Sequence, residues 1–460
     1  MILDPTSQLI WKLNGTLKSL EKIDEGKYTL LDFCKIIQEI DNDESREILS
    51  GLTKLNSFGF FQDKETKVKK ISSNDFHHIV INPTTECNLD CWYCYSKEFR
   101  KYNSEEISLE EMEKTILYFA DRKKENQSKS PLSISLFLSS EITLNFHVFL
   151  KIKVFIEKIK SNYSFDIFLF PPPTNLMEID QSFVDYINDY GFLTVSVDYS
   201  NSNQIQKILE NVEAFDDKII KHCIVPLHSG MNDLVEVYKR FMEVFDYVSL
   251  RPVRVGENSK FPWGTDSSQF VDNELNVLCN QLIEMEDEEL IKFLLSLGPS
   301  DYFRRYIQRV ISRSKLLNRC SAGIKALAVG PDSKFYPCSG FVGRKNFVLG
   351  TIKTGVNIDL ISKYQNRFDS NTLCRDCSIK YYCGGFCEDW KHVMGKKQES
   401  QQTECNINHA FFKNSSSFVI KLLEKKPYIL TTFVKENGID SKLSYPLNFD
   451  DFVSFFSATN

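Results

Sequence analysis

Ten of the thirteen cysteines of this 460-residue chain fall into two groups. Cys87, Cys91 and Cys94 share one short loop; Cys320, Cys338, Cys374, Cys377, Cys383, Cys387 and Cys405 crowd a later region. A chain of this length buries a large core and does not need cysteines as staples. Its start, MILDPTSQLIWKL, lacks the basic segment and apolar run of a secretory signal. We therefore expect a cytoplasmic protein, whose clustered thiols serve metal or redox chemistry rather than disulfides. Cys34, Cys223 and Cys279 stand alone in apolar stretches and read as small buried hydrophobes.

Composition excludes several classes. With 42% hydrophobic and 26% charged residues the chain is ordinary and globular, not low-complexity or disordered. The net charge of −6 argues against a nucleic-acid partner. The most apolar window, 144–159, carries Lys151, Lys153, Glu157 and Lys158, so it reads as an amphipathic helix and no membrane partner is expected.

The first cysteine loop sits in a regular pattern. Over 75–255, short apolar strands (77–82, 133–138, 165–170, 192–197, 219–226, 247–253) alternate with amphipathic helices (108–122, 146–161, 180–190, 204–213, 231–243). Ser108 and Glu111 form a capping box for the first helix. Six strands alternating with helices predict an α/β fold with a parallel sheet, whose chemistry lies at the C-terminal strand ends. The loop follows the first strand directly. Residues 1–74 look like a separate small unit, with a strand at 8–13, a helix at 28–40 and a helix–turn–strand at 43–61. Residues 256–319 read as a helical bridge (273–297, 302–317). Short strands at 326–330 and 335–341 lie in the cysteine-rich region 320–410, and a helix at 415–424 in the tail 411–460.

The loop reads INPTTECNLDCWYCYS, with spacing Cys-x3-Cys-x2-Cys. A structural zinc site usually takes four ligands, and no fourth Cys or His lies close by. Three thiolates can hold a [4Fe–4S] cluster with one iron left open. In these residues the chain resembles the radical S-adenosylmethionine (SAM) superfamily, with Tyr93 as the aromatic residue before the third cysteine. The resemblance implies a partial (β/α)6 barrel, a cluster on Cys87, Cys91 and Cys94, and SAM chelated to the open iron. It also implies cleavage of SAM to a 5′-deoxyadenosyl radical that abstracts a hydrogen atom. By position it implies cofactor contacts from Ser139, Ser140, Glu141, Ser196, Asp198 and Arg251, besides Tyr93. The family's Gly-Gly-Glu-Pro segment is here Ser139-Ser140-Glu141-Ile142, and its Thr-Asn-Gly is replaced by PPPTN at 171–175.

The second group contains Cys374-x2-Cys377-x5-Cys383-x3-Cys387. On spacing alone, a pair of structural zinc sites is the alternative to iron–sulfur clusters. The region 320–405 resembles the SPASM extension of peptide-modifying radical SAM enzymes, with Ser333 in place of a family glycine. That resemblance implies two auxiliary [4Fe–4S] clusters. Cys374, Cys377, Cys383 and Cys405 hold one, and Cys320, Cys338 and Cys387 the other. Seven cysteines leave one auxiliary iron open to a substrate thiol, a water or another side chain. Residues 1–74 resemble a winged-helix-like peptide-recognition unit, which binds a leader peptide by strand addition. The whole implies a peptide maturase of the radical SAM/SPASM type. It acts on a ribosomally made precursor peptide and is supplied with electrons by a flavodoxin- or ferredoxin-type donor. The alternatives are a formylglycine-generating sulfatase maturase and a catalytically silent iron–sulfur partner that delivers peptide to a second enzyme. The sequence singles out no catalytic base.

Overall fold

The computed structural model describes residues 75–97, 106–255, 259–263, 267–312, 316, 318–365, 371–375, 377–393 and 398–436, with two short strands near the N-terminus. Those strands, β1 (Ile2–Asp4) and β2 (Leu9–Trp11), pair antiparallel. The rest of the expected N-terminal unit, Cys34 and the tail beyond 436 lie outside the described residues.

The alternation read from the sequence is present. Six strands, β3 (His78–Ile81), β4 (Leu132–Leu136), β5 (Ile167–Phe170), β6 (Phe192–Ser196), β7 (Ile220–Leu227) and β8 (Tyr247–Pro252), are separated by five helices. These are α1 (Leu109–Glu125), α2 (Phe146–Ile159), α3 (Gln181–Tyr190), α4 (Ser202–Val212) and α5 (Leu234–Met242). The capping box forms: Ser108 Oγ accepts from the Glu111 N–H, and the Glu111 carboxylate accepts the Ser108 N–H at 3.1 Å. β3, β4 and β5 pair in parallel, as do β6, β7 and β8. Thr174, beyond β5, bridges Val195 of β6. Its N–H donates to Thr194 O at 3.0 Å and its carbonyl accepts from Ser196 N at 2.8 Å, so the two sheets are joined edge to edge. Ile134, Leu136, Phe149, Ile152, Val195, Ile208 and Val225 are buried between strands and helices. Cys223 on β7 and Cys279 pack into the same core.

The cysteine-rich region joins this sheet. β9 (Ala326–Val329) pairs parallel to the free edge of β3, and β10 (Lys334–Tyr336), β11 (Gly350–Thr351) and β12 (Gly355–Val356) continue it antiparallel. The strand expected over 335–341 stops at Tyr336. Pro337 has no N–H for the ladder, and Ser339–Phe341 turns into a 3-10 helix.

The helical bridge contains α6 (Ser267–Glu284), α7 (Asp287–Ser296) and α8 (Tyr302–Ser312). The single helix expected over 273–297 is thus two. The acidic run Asp287–Glu289 favours a helix start, where the helix dipole welcomes negative charge. Four short helices follow: α9 (Ile358–Gln365), α10 (Thr372–Arg375), α11 (Lys380–Cys383) and α12 (Glu388–Val393). α13 (Gln398–Lys425) is far longer than the helix expected at 415–424, and α14 (Pro427–Glu436) follows it. α13 packs on α8 through Phe303 with Phe418 and a stacked Tyr306–Phe411 pair. No helix among the described residues is long and apolar enough to cross a membrane.

Candidate functional site

The loop after β3 carries Cys87, Cys91 and Cys94 at the C-terminal end of the parallel strands. Asn82 ends β3 and fixes the loop's root: its side chain donates to Val329 O at 3.3 Å and accepts from Ser139 N at 3.0 Å. Cys94 N donates to Cys91 O at 3.1 Å, and Cys94 Sγ lies 3.0 Å from Ser96 Oγ. Burial, then the neighbouring Cys94, pushes the Cys91 thiol up to about 11, with Asp198 and Cys87 adding to it. Thiols held up by burial and mutual repulsion are what a bound cation relieves, because it favours the thiolates.

The neighbouring strand ends converge on this loop. Glu141 is buried, and its Oε1 accepts from Thr174 Oγ1 at 2.6 Å and Thr143 N at 3.2 Å. Its Oε2 accepts from Asn175 N at 2.8 Å. Burial raises its pKa. Glu141 therefore ties the loop after β4 to the segment after β5. Asn175 passes the connection on: its amide donates to Asn88 Oδ1 at 2.7 Å and approaches Cys87 Sγ at 3.7 Å. Ser139 is buried, and Ser140 closes a turn on Phe137 O. The positive φ in this turn falls on Phe137 (61°), a strained conformation for a bulky residue. Tyr93 hydrogen-bonds Cys91 and Ser196, and its hydroxyl feels the charge of Asp198. Asp198 is buried and accepts from Ser200 N at 2.9 Å.

Sequence reasoning missed three members of this site. His228, the residue after β7, is buried and stacks on Phe261 with ring centroids 4.4 Å apart. Trp92 meets both edge-on, at 5.2 and 5.3 Å. Burial holds His228 down at about 4, so it is neutral at pH 7. Its Nε2 and the Trp92 Nε1–H are buried without a hydrogen-bond partner. The available signal was position: His228 stands at a strand end beside the loop, as Asn175 does.

Six of the seven cysteines of the second group fall into two sets, and Cys320 is exposed. Cys374, Cys377, Cys383 and Cys405 line one partly open pocket. Burial, then Cys383 and Cys377, pushes Cys374 up to about 12, and Cys405 rises through burial and the charges of Cys383, Glu404, Cys374 and Cys377. Gly384 (φ 78°) caps α11, and a side chain there would strike Arg319, with 2.6 Å from Cβ to its N. His409, which the spacing did not suggest, reaches Cys377 Sγ at 3.5 Å. In the other set, burial and then Asp389 push Cys338 up to about 12, with Cys387 adding to it. Cys320 follows Arg319, whose N–H donates to Gly384 O at 2.7 Å.

Two arginines connect the sets. Arg254 Nη1 lies 3.9 Å from Cys387 Sγ and donates to Asp389 Oδ2 at 2.7 Å. Its guanidinium sits 5.2 Å over the Tyr95 ring, and the Tyr95 hydroxyl feels the charge of both Cys94 and Cys338. Arg319 pairs with Glu404, which accepts the Cys387 N–H at 3.1 Å, and Cys383 and Cys387 both act on the Arg319 charge. The order from the loop is thus Cys94, Tyr95, the Cys338–Cys387 set, Arg319 and the four-cysteine cavity. Arg251, next to the last residue of β8, has accessible surface yet is crowded by Arg254, Arg319, Tyr302 and Tyr95, and this partial desolvation lowers its pKa.

None of the twelve described cysteines is in a disulfide. Among the described residues no three or more His, Cys, Asp or Glu side chains converge tightly enough for a single metal ion. A cubane makes a different demand, since each thiolate binds its own iron. Four thiols around one cavity fit that demand.

Two structures of SuiB from Streptococcus suis resemble this chain. One, bound to S-adenosylmethionine, is 14% identical over 78% of this chain and 78% of that chain, with a TM-score of 0.42. The other is 14% identical over 81% of this chain and 85% of that chain, with a TM-score of 0.43. No protein-family model and no curated protein matches the sequence. A likeness this distant assigns neither cofactor nor substrate to this chain.

Proposed function

We propose that this chain is a radical SAM peptide maturase with a partial (β/α)6 barrel and a SPASM-type region holding two auxiliary clusters. The observation that carries the reading is the grouping of the cysteines. A three-cysteine loop follows the first parallel strand, and four further cysteines from the segments 372–383 and 398–425 line one pocket. When bound, a reduced [4Fe–4S] cluster supplies the electron that cleaves SAM into methionine and a hydrogen-abstracting 5′-deoxyadenosyl radical. Cys87, Cys91 and Cys94 would hold that cluster.

The remaining residues position and shield. Glu141 and Asn175 lock two strand-end loops onto Cys87 and Asn88. Tyr93 covers Cys91 and meets Ser196. Trp92, His228 and Phe261 wall the loop off from water on one side. The exposed Arg251 offers a cation to an anionic group entering at the strand ends. A precursor peptide as substrate and a flavodoxin- or ferredoxin-type donor complete the reading.

The silent-partner reading is favoured by one observation: both Glu141 carboxylate oxygens are already taken by Thr143, Thr174 and Asn175. One experiment separates the two. The anaerobically reconstituted, dithionite-reduced protein is incubated with SAM, and 5′-deoxyadenosine is quantified. The maturase reading expects 5′-deoxyadenosine that disappears in Cys91→Ala. A fully iron-loaded protein that forms none overturns it.

A further inference from the structure

The cysteines leave one position unassigned. Cys374, Cys377, Cys383 and Cys405 complete a four-ligand set, whereas Cys320, Cys338 and Cys387 provide three thiolates for a cluster type that takes four ligands when closed. Asp389 is placed to make up the difference. It lies two residues beyond Cys387, in the first turn of α12, and only 1% of its surface is accessible. Its Oδ2 accepts from Arg254 Nη1 at 2.7 Å, and the same Nη1 lies 3.9 Å from Cys387 Sγ. Its Oδ1 is buried and accepts no hydrogen bond, and its one ion pair, with Arg344 Nη2, is long at 4.0 Å. A buried carboxylate oxygen without a donor is costly and calls for an explanation such as a bound ion.

The same carboxylate faces a second cysteine of the set, Cys338. It presses against Gly340, two residues past Cys338, where a Cβ would come within 2.3 Å of Asp389 Cγ and 2.5 Å of both oxygens. The Gly340 N–H in turn hydrogen-bonds the Cys338 sulfur. Only a glycine at 340 lets the carboxylate and the Cys338 thiol share this corner.

We propose that Asp389 is the fourth protein ligand of the first auxiliary [4Fe–4S] cluster, binding iron through Oδ1 while Oδ2 stays on Arg254. The proposal rests on the cluster reading above and decides among its open choices. The chain closes this cluster itself, so no substrate thiol binds there and the cluster works as an electron relay. Its place between Tyr95 and Arg319 suits that role.

The test uses the full chain with Cys87, Cys91 and Cys94 replaced by alanine, reconstituted anaerobically so that only auxiliary clusters remain. Iron content, Mössbauer spectra and the EPR signal after ferricyanide oxidation are measured in this parent and with Asp389→Ala or Asp389→Cys added. The parent should keep both cubanes and ignore added β-mercaptoethanol. Asp389→Ala should lose one iron from one cubane on oxidation, giving a [3Fe–4S] signal, and should respond to the thiol. Asp389→Cys should restore the closed cubane. The four-cysteine cluster, unchanged throughout, reports that the variants are folded. An iron-loaded Asp389→Ala with the parent's spectra overturns the proposal, as does loss of the cubane in both variants, which makes Asp389 a partner of Arg254 alone. A parent that takes up no auxiliary iron overturns the cluster reading itself, a different outcome from an unchanged Asp389→Ala.

Discussion

The Cys87–Cys94 loop and the Cys374–Cys405 cavity offer the same ligand chemistry on opposite scaffolds. The loop hangs from one strand end. Asn175, held by Glu141, approaches Cys87, and Tyr93 on the loop itself joins Cys91 to Ser196. The cavity is lined by α10, α11 and α13 and has a full set of four thiols, with His409 beside Cys377. A three-thiol site on braced polar neighbours leaves a coordination position for a small molecule. On the cluster reading, a four-thiol site carried on helices would leave none, and its ligands would double as the packing of the helices that carry them.

The contrast makes its sharpest demand on cysteine removal. Cys91→Ala should abolish 5′-deoxyadenosine formation while auxiliary iron and thermal stability stay near the parent's. Cys383→Ala should do more to the fold: loss of cavity iron and of stability on the order of several kcal/mol, since metal binding at such a site is coupled to folding. Iron analysis and calorimetry check both. If Cys91→Ala destabilises the protein as much as Cys383→Ala, the two sites are not different in kind.

Gly340→Ala probes the set between them. The new Cβ overlaps the Asp389 carboxylate, and overpacking of this kind costs roughly 1–3 kcal/mol. Urea denaturation should show the loss, and the auxiliary spectra should change while those of the loop cluster do not. Glu141→Gln probes the bracing of the loop. It keeps the shape but turns one acceptor into a donor facing the Asn175 N–H or the Thr174 hydroxyl, at a cost of about 1–3 kcal/mol. The apoprotein's denaturation midpoint should fall, and the Cys383→Ala background should show the same drop, because the two sites share no partner.

The two regions were not equally legible in the sequence. The strands and helices around the loop followed from local periodicity, and β3 to β8 fall close to expectation because each buries its own apolar face. The cysteine-rich region depends on distant partners. β9 gave only the short run ALAV, and nothing local says that it pairs with β3, far earlier in the chain. The stretch QESQQTECNINHAFFKNSSS (398–417) of α13 is rich in Ser and Asn, poor helix formers. It is helical because Ile407, Ala410 and Phe411 pack on α6 and α8. His409 and Asp389 were hidden for the same reason: their contacts with Cys377 and Arg254 depend on what the fold brings opposite them, not on spacing. The grouping of the cysteines was legible because their spacing is local; the side chains around them were not.

Asp301 offers the mildest test, at the joint between the two regions. It is fully buried at the start of α8, where Oδ2 accepts from Leu250 N on β8 at 2.8 Å and Tyr238 Oη at 2.6 Å, and Oδ1 from Arg304 N at 2.8 Å. Burial outweighs these bonds and raises its pKa from 3.8 to about 6. Between those values the folded chain binds more protons than the unfolded one, so this group's contribution to stability falls as pH rises through the window and recovers as pH drops. Other carboxylates act oppositely: Asp180, held below its ordinary range by Ser182 and Phe183, loses stabilisation on acidification. The difference between parent and Asp301→Asn isolates the joint. It should shift toward the parent by at most about 3 kcal/mol between pH 7 and pH 4. If that difference is flat with pH, Asp301 is not buried as a titrating group, and the β8–α8 joint is open to solvent.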